Sequence, residues 1–169
     1  MAPKGGDEPQ VTVRLPPRLY RGLKRYADKR GVGLIEAIER VVRDAVAAEL
    51  DADDRRQVRA EAELLDYVDR VVGGLRDAGG WDEHVTGLVF NRIRDEALDT
   101  YAAAVGREGD PFAFGNPEKA RVNKRIGTRV RHLLGAEVML TPGGDRAKGQ
   151  PSRTGKSLVM SYTLLRPAR

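Results

Sequence analysis

The segment from residue 10 to residue 50 constrains the fold of this 169-residue chain more than any other. It begins with one short alternating stretch, QVTVRLP, and continues at once into two amphipathic helical patterns. As a strand, the stretch carries Val11, Val13 and Leu15 on its apolar face and Gln10, Thr12 and Arg14 on its polar face. A lone strand leaves its backbone groups unpaired. We therefore expect it to pair with the same strand of a second chain, forming a two-stranded ribbon that fits a DNA major groove.

Proline and glycine set the limits of the elements that follow the strand. Pro16 and Pro17 end the strand, because proline lacks the N–H that a ladder needs, and Pro17 suits a first helical position. The apolar spacing predicts a first helix from Pro17 to Arg30, which Gly31 ends. A second helix is predicted from Leu34 to about Leu50, with a broad apolar face.

The run VTVRLPPRLYRGLKRYADKRGVGLIEAIERVVRDAV resembles the ribbon-helix-helix DNA-binding family in the order, length and punctuation of its elements. The resemblance covers residues 10–50 and implies an intertwined homodimer whose ribbon lies in the major groove of double-stranded DNA. It implies that Gln10, Thr12 and Arg14 read the bases. Their chemistry agrees, because Gln pairs bidentately with adenine, Arg pairs bidentately with guanine, and Thr contacts polar edges or the thymine methyl.

The resemblance also implies a phosphate contact from backbone N–H groups at the start of the second helix, here at Gly33 and Leu34. The family often has Ser or Thr there, so this chain is expected to rely on its backbone alone. Arg18, Arg21 and Lys24 on the first helix are further candidate phosphate contacts, with a solvated helix face as the alternative for each.

Charge is distributed unevenly along the chain, which has a net charge of +5. Residues 1–50 hold 10 basic and 7 acidic residues, residues 51–115 hold 8 and 15, and residues 116–169 hold 12 and 3. We predict a disordered arm at 1–9, the ribbon-helix-helix at 10–50, an acidic linker helix within 51–79, and a basic α+β module at 80–169. The acidic region 51–115 is a candidate protein-binding region, and Gly79-Gly80 is the predicted boundary.

The predicted C-terminal module contains helices at about 82–105 and 117–134, followed by a hairpin with a long basic tip. It resembles a winged helix only in outline. The last helix and the tip together suggest a second DNA-binding surface that tracks the phosphate backbone, with a plain surface helix and loop as the alternative. Its candidate residues are Arg121, Lys124, Arg125, Thr128, Arg129, Arg131, Arg146, Lys148, Arg153 and Lys156.

Several classes of function receive no support from the composition. The chain has no cysteine and two histidines, His84 and His132, which are far apart, so we expect no metal site and no cofactor. No acid/base constellation indicates an enzyme. No apolar run is long enough for a membrane span, and the start lacks a signal-peptide core, so we expect a cytoplasmic, nucleoid-associated protein.

These observations together predict a mainly α protein that binds DNA in a sequence-specific way as a homodimer and regulates transcription, most simply as a repressor. Two alternatives stay open. One is an architectural or segregation protein of a plasmid or phage that coats DNA. The other is an antitoxin-type repressor that binds a partner protein through residues 51–169.

Overall fold

The computed structural model describes residues 12–106, 110–151 and 156–168, and this part of the chain is mainly helical. The helices are α1 Pro17–Arg30, α2 Leu34–Val46, α3 Ala52–Asp77, α4 Val85–Glu96, α5 Leu98–Ala104 and α6 Pro117–Leu133. The short strands are β1 Ala136–Val138, β2 Lys148–Gly149, β3 Tyr162–Thr163 and β4 Leu165–Pro167. The chain divides into two compact units, and the division falls between Val41 and Val42, inside α2. No helix among the described residues is long and apolar enough to cross a membrane.

In the N-terminal unit, local signals set the limits of α1 where the sequence predicts them. Pro17 occupies the first turn, and Gly31 follows the helix in the left-handed region at φ 60°. The N–H of Gly31 bonds to the carbonyl of Asp28, and the N–H of Val32 bonds to the carbonyl of Ala27. This pair of bonds is the Schellman arrangement, in which a glycine avoids the steric cost that a Cβ would meet. Ala27 and Val32 are both buried, which supplies the apolar contact that accompanies this cap.

The helix α2 carries an apolar row that is exposed to solvent in the single chain. Ala37 is buried with Ala27 and Val32, and it lies on the side of α2 that meets the α1 turn. Ile35, Val42 and Val46 lie within about 40° of one another around the axis, at about 100° per residue, on the opposite side of the helix. Ile35 is 74% exposed and Val42 is 52% exposed. The row is therefore solvated in the monomer, although its composition is that of a buried face.

The predicted strand lies only partly within the described residues. Gln10 and Val11 lie outside them, and residues 12–16 belong to no strand. A strand is assigned by its pairing, and the predicted partner is a second chain, so a single chain offers no ladder for this segment. The ribbon therefore stays a prediction.

The second unit is built around α3, which the sequence analysis places in a linker. Leu64, Leu65, Val68 and Val72 of α3 are buried in one core with residues of α4, α5 and α6. Acidic side chains of α3 such as Asp53, Glu63 and Asp66 are exposed, whereas Glu61 is buried. Thus α3 is a core helix, and the chain does not divide at Gly79-Gly80.

Three other helix limits differ from the predicted ones. The helix α2 ends at Val46 rather than near Leu50, and α3 begins at Ala52, where the Asp51 side chain accepts a hydrogen bond from the Asp54 N–H at 2.8 Å. The helix predicted over about 82–105 is two helices, which meet at Ala97 with φ −141° and ψ 28°. After this break, α5 packs its buried Tyr101 against the core that contains α3. The packing of α5 therefore decides the position of the break, although the apolar spacing in the sequence continues through it.

The C-terminal strands form two small antiparallel pairs. Strand β1 pairs with β4, with Glu137 opposite Arg166, and β2 pairs with β3, with Gly149 opposite Tyr162. An isolated bridge joins Leu140 to Arg146 across the turn that contains Gly144. The predicted pairing of the two apolar runs is therefore present at its base. However, Lys148 of the basic tip belongs to a strand rather than to a loop.

Candidate functional sites

The predicted base-reading residues that the structure describes are accessible. Thr12 and Arg14 are exposed in the segment before α1, two residues apart, whereas Gln10 lies outside the described residues. No ion pair of Arg14 with another described residue is present. Because Arg14 is exposed, its guanidinium can reach an acceptor outside the chain.

The predicted phosphate contacts are also exposed, with one complication at α2. Arg18, Arg21 and Lys24 project from α1 into solvent. At α2, the carbonyl of Gly33 accepts the first helical bond, from the Ala37 N–H at 3.0 Å, and Leu34 begins the helix. The first turn also contains Glu36, whose carboxylate lies 4.0 Å from Arg40. A carboxylate there already interacts favourably with the positive end of the helix dipole, which weakens the case for a phosphate at this terminus.

Within α6, one row of the predicted DNA-binding arginines is bound to α3 instead. Arg121 and Arg125 both donate to the Glu61 carboxylate, at 2.8 Å and 2.6 Å. Arg129, which is buried, donates to Asp69 at 2.6 Å. Burial tends to lower the pKa of Arg121, but hydrogen bonds and charge from Glu61 and then Glu118 raise it overall. Three of the candidate DNA-binding arginines of α6 are therefore engaged with carboxylates of α3.

A second row on α6 lines a groove. Lys124, Thr128 and Arg131 lie on the adjacent, groove-facing side of the helix together with Gly127, and Arg146 joins them from the β-strand region. The groove has a volume of about 420 Å³. Its remaining lining residues are Thr86, Phe90, Asn123, Val138, Val159, Ser161, Tyr162, Thr163 and Leu165. Of the other predicted residues, Lys148 is exposed on β2, Lys156 lies over the Phe112 ring at 5.3 Å, and Arg153 is outside the described residues.

Tyr162 forms a rigid part of the groove wall. Its hydroxyl lies 3.0 Å from His84 Nδ1, and it donates to the carbonyl of Gln150 at 3.3 Å. The ring fits between Gly87 of α4 and Gly149 of β2, where a Cβ would lie 2.5 Å and 2.4 Å from ring carbons. Burial, and then the charge of Asp82, raise the pKa of Tyr162.

The position of Asn123 on the groove floor is also fixed. It accepts a hydrogen bond from the buried Tyr101 hydroxyl at 2.8 Å and donates to the carbonyl of Leu158 at 3.3 Å. The wall and floor are therefore preformed, and the movable charged side chains are those of Lys124, Arg131 and Arg146. This arrangement suits the binding of an anion, since cations and hydroxyl groups converge on it.

The division of the basic residues of α6 into two rows was not predicted from the sequence. A signal for it exists, because Arg121, Arg125 and Arg129 recur every four residues, and Glu61 interrupts an otherwise apolar spacing in α3. A charge on an apolar face predicts a buried partner of opposite sign.

Within the described ranges, no three or more His, Asp or Glu side chains are grouped so that they could hold a metal ion. Comparisons of the chain with models of protein families, with curated protein sequences and with solved structures find no match.

Proposed function

We propose that this protein is a homodimeric, ribbon-helix-helix-like DNA-binding protein that reads the major groove and regulates transcription. The observation that carries the proposal is the solvated apolar row of Ile35, Val42 and Val46 on α2. A contiguous exposed apolar row of this kind is typical of a surface that binds another chain. A second copy of the same chain covers it most simply, because the alternating segment before α1 requires a strand partner as well.

The features at both ends of α1 support the same proposal. The elements occur in the order that the ribbon-helix-helix resemblance requires. An alternating stretch and two prolines precede a 14-residue helix, which ends at a Schellman glycine and is followed by a second amphipathic helix. Each feature has a local physical cause. Their agreement favours one architecture over an accidental match of composition.

Dimer formation is tested with Ile35→Glu. Glutamate in the first turn of α2 interacts favourably with the helix dipole, so this variant keeps its helix and loses only the apolar contact. Leu88→Glu, in the first turn of α4 and on an exposed site outside the N-terminal unit, is the matched control. In sedimentation at micromolar concentration, we expect the wild type and Leu88→Glu to be dimers and Ile35→Glu to be a monomer. Near-ultraviolet circular dichroism of Trp81 should be unchanged. A monomeric wild type contradicts the proposal.

Base reading is tested on an operator selected from random DNA. Removing one bidentate Arg–guanine contact costs about 1–3 kcal/mol, so Arg14→Ala should weaken operator binding roughly 5- to 150-fold. The triple variant Gln10→Ala, Thr12→Ala and Arg14→Ala should lose operator preference and keep non-specific binding. Arg59→Ala, which removes an equal charge from an exposed helical ion pair in α3, is the control.

Two outcomes would refute base reading by the ribbon. One is unchanged operator preference in the triple variant. The other is a footprint that spreads along any DNA without a preferred site, which would favour a coating protein instead.

A further inference from the structure

The basic residues of α6 serve two different surfaces. Arg121, Arg125 and Arg129 follow one another at four-residue spacing and bind the carboxylates of Glu61 and Asp69. The second row, Lys124, Thr128 and Arg131, follows the spacing of adjacent helical turns on another side. No carboxylate of the described residues forms an ion pair with Lys124, Arg131 or Arg146. Three cations that form no ion pair with another described residue therefore line the same groove.

The groove holds these cations in a concave site with hydrogen-bonding groups. Among its lining residues, Thr86, Thr128, Ser161 and Thr163 carry hydroxyl groups, and no lining residue is acidic. The apolar part of the lining comes from Phe90, Val138, Val159 and Leu165. A few hundred cubic ångströms with an apolar floor and convergent polar groups is typical of a small-molecule site. A duplex, by contrast, needs an extended surface, which a groove of about 420 Å³ does not provide.

We propose that this groove binds a phosphorylated small molecule of nucleotide size. Lys124, Arg131 and Arg146 would neutralise the phosphate groups through charge-assisted hydrogen bonds, and the hydroxyl groups would donate to the remaining phosphate oxygens. The organic part of the ligand would lie against the apolar floor. This inference goes beyond the proposed DNA binding and does not depend on it.

Gly127 provides the space in which the ligand lies. It occupies the groove-facing side of α6 between Lys124 and Thr128, and a Cβ built on it would meet no atom within 4 Å. Gly127→Leu fills this space without changing any charge, and it also improves the helix propensity of the site. This variant separates occupancy of the groove from general attraction of anions by a basic protein.

The experiment titrates the full-length protein with inorganic pyrophosphate and with adenosine 5′-diphosphate, in a calorimeter, at 0.15 M salt. We expect saturable binding of one molecule per chain, with the nucleotide bound more tightly than pyrophosphate. Lys124→Ala and Arg131→Ala should each weaken binding about 10-fold or more, as expected for the loss of a charge-assisted hydrogen bond. Gly127→Leu should abolish it.

Two variants serve as controls. Arg92→Ala removes an exposed arginine that pairs with Glu96 on α4, and Gly74→Leu adds the same side chain to α3 at a position open to solvent. Both should bind the two probes within about twofold of the wild type. Circular dichroism checks that every variant is folded.

Three results would overturn the proposal: no saturable binding of either probe, equal weakening by Arg92→Ala and Lys124→Ala, or full binding by Gly127→Leu. A fourth concerns DNA. If a duplex of unrelated sequence displaces both probes, and Gly127→Leu weakens binding of that duplex, the groove is a nucleic-acid surface rather than a small-molecule site. These outcomes do not depend on whether Arg14→Ala weakens operator binding, because Arg14 lies in the other unit.

Discussion

The contact between Glu61 of α3 and the arginines of α6 offers a quantitative test of the fold. The Glu61 side chain is 5% exposed, and its two oxygens accept from Arg121 and from Arg125. Glu61→Ala removes the carboxylate that two guanidinium groups share beside an apolar core, and Arg121 then keeps only its pair with Glu118 among its carboxylate contacts. Glu63, two residues further along the same helix, forms only an exposed pair with Arg59 at 2.9 Å. Glu63→Ala is therefore a control with the same residue change and helix.

The expected magnitudes differ severalfold. Removing one partner of a buried ion pair costs about 3–5 kcal/mol, because a charge is left without compensation. Arg121 and Arg125 keep part of their surface in water, so the lower value, about 3 kcal/mol, applies. Glu63 is 55% exposed and Arg59 is 82% exposed, and pairs of that kind contribute about 0.3–0.5 kcal/mol. Since both variants gain the same helix propensity from alanine, we expect Glu61→Ala to be less stable by about 2.5 kcal/mol.

Urea denaturation followed by circular dichroism measures this difference directly. With about 2–4 °C per kcal/mol for a chain of this size, the melting temperature of Glu61→Ala should lie about 5–10 °C below that of Glu63→Ala. In 1 M salt, the gap should persist, because a buried pair is screened less than an exposed one. A difference below about 1 kcal/mol would mean that Arg121 and Arg125 rehydrate freely, and the pairing of α3 with α6 would then not stabilise the fold.

Three further predictions concern the rest of the second unit. Gly87→Ala should destabilise the protein by about 1–2 kcal/mol in thermal unfolding, because the added Cβ would overlap the Tyr162 ring. The control Gly74→Ala should be neutral or stabilising. Equal melting temperatures of the two variants would contradict the close packing of Tyr162 against Gly87. Burial, and then the hydrogen bond and charge of Glu96, raise the pKa of Tyr67 to about 12. The contribution of Tyr67 to the free energy of unfolding should therefore be constant below about pH 10 and be lost between pH 10 and 12, and Tyr67→Phe should reduce the fall over that range in denaturant titrations. The Lys119 ammonium donates hydrogen bonds to the carbonyls of residues 111, 112 and 113. Lys119→Met should therefore speed proteolysis near these residues. An unchanged rate of cleavage would mean that Lys119 does not hold this loop in place.

The sequence predicted elements best where one or two residues decide the backbone. Pro17 and Gly31 act through their own φ angles, so the bounds of α1 follow from the chain alone. The start of α6 behaves in the same way, since Asn116 accepts from the Glu118 N–H and Pro117 follows it. The break at Ala97 has no such local cause. It depends on how α5 packs on α3, and an apolar spacing does not contain that information.

The candidate site shows a similar limit. Sequence alone identified the basic residues of α6, but not which of them are free, because that depends on carboxylates about 60 positions away in α3. Formal charge therefore overstates what residues 116–169 offer to a polyanion. Arg121, Arg125 and Arg129 already pair with carboxylates of α3, whereas Lys124, Arg131 and Arg146 line the groove and form no ion pair with another described residue.

This concentration changes what the charge of the second unit implies for DNA binding. The salt dependence of DNA affinity counts the phosphates that a protein neutralises, not the formal charge that it carries. If the groove is a small-molecule site, its three cations contribute little to that count, and neutralising them individually should leave the salt dependence of operator binding almost unchanged. The exposed arginines of the N-terminal unit, Arg14, Arg18 and Arg21, would then account for most of the salt dependence. Replacing any one of these arginines by alanine should reduce the slope of log affinity against log salt concentration by about one unit. A protein that combines these two surfaces would keep recognition of DNA and of a phosphorylated ligand on separate units, although both depend on basic side chains.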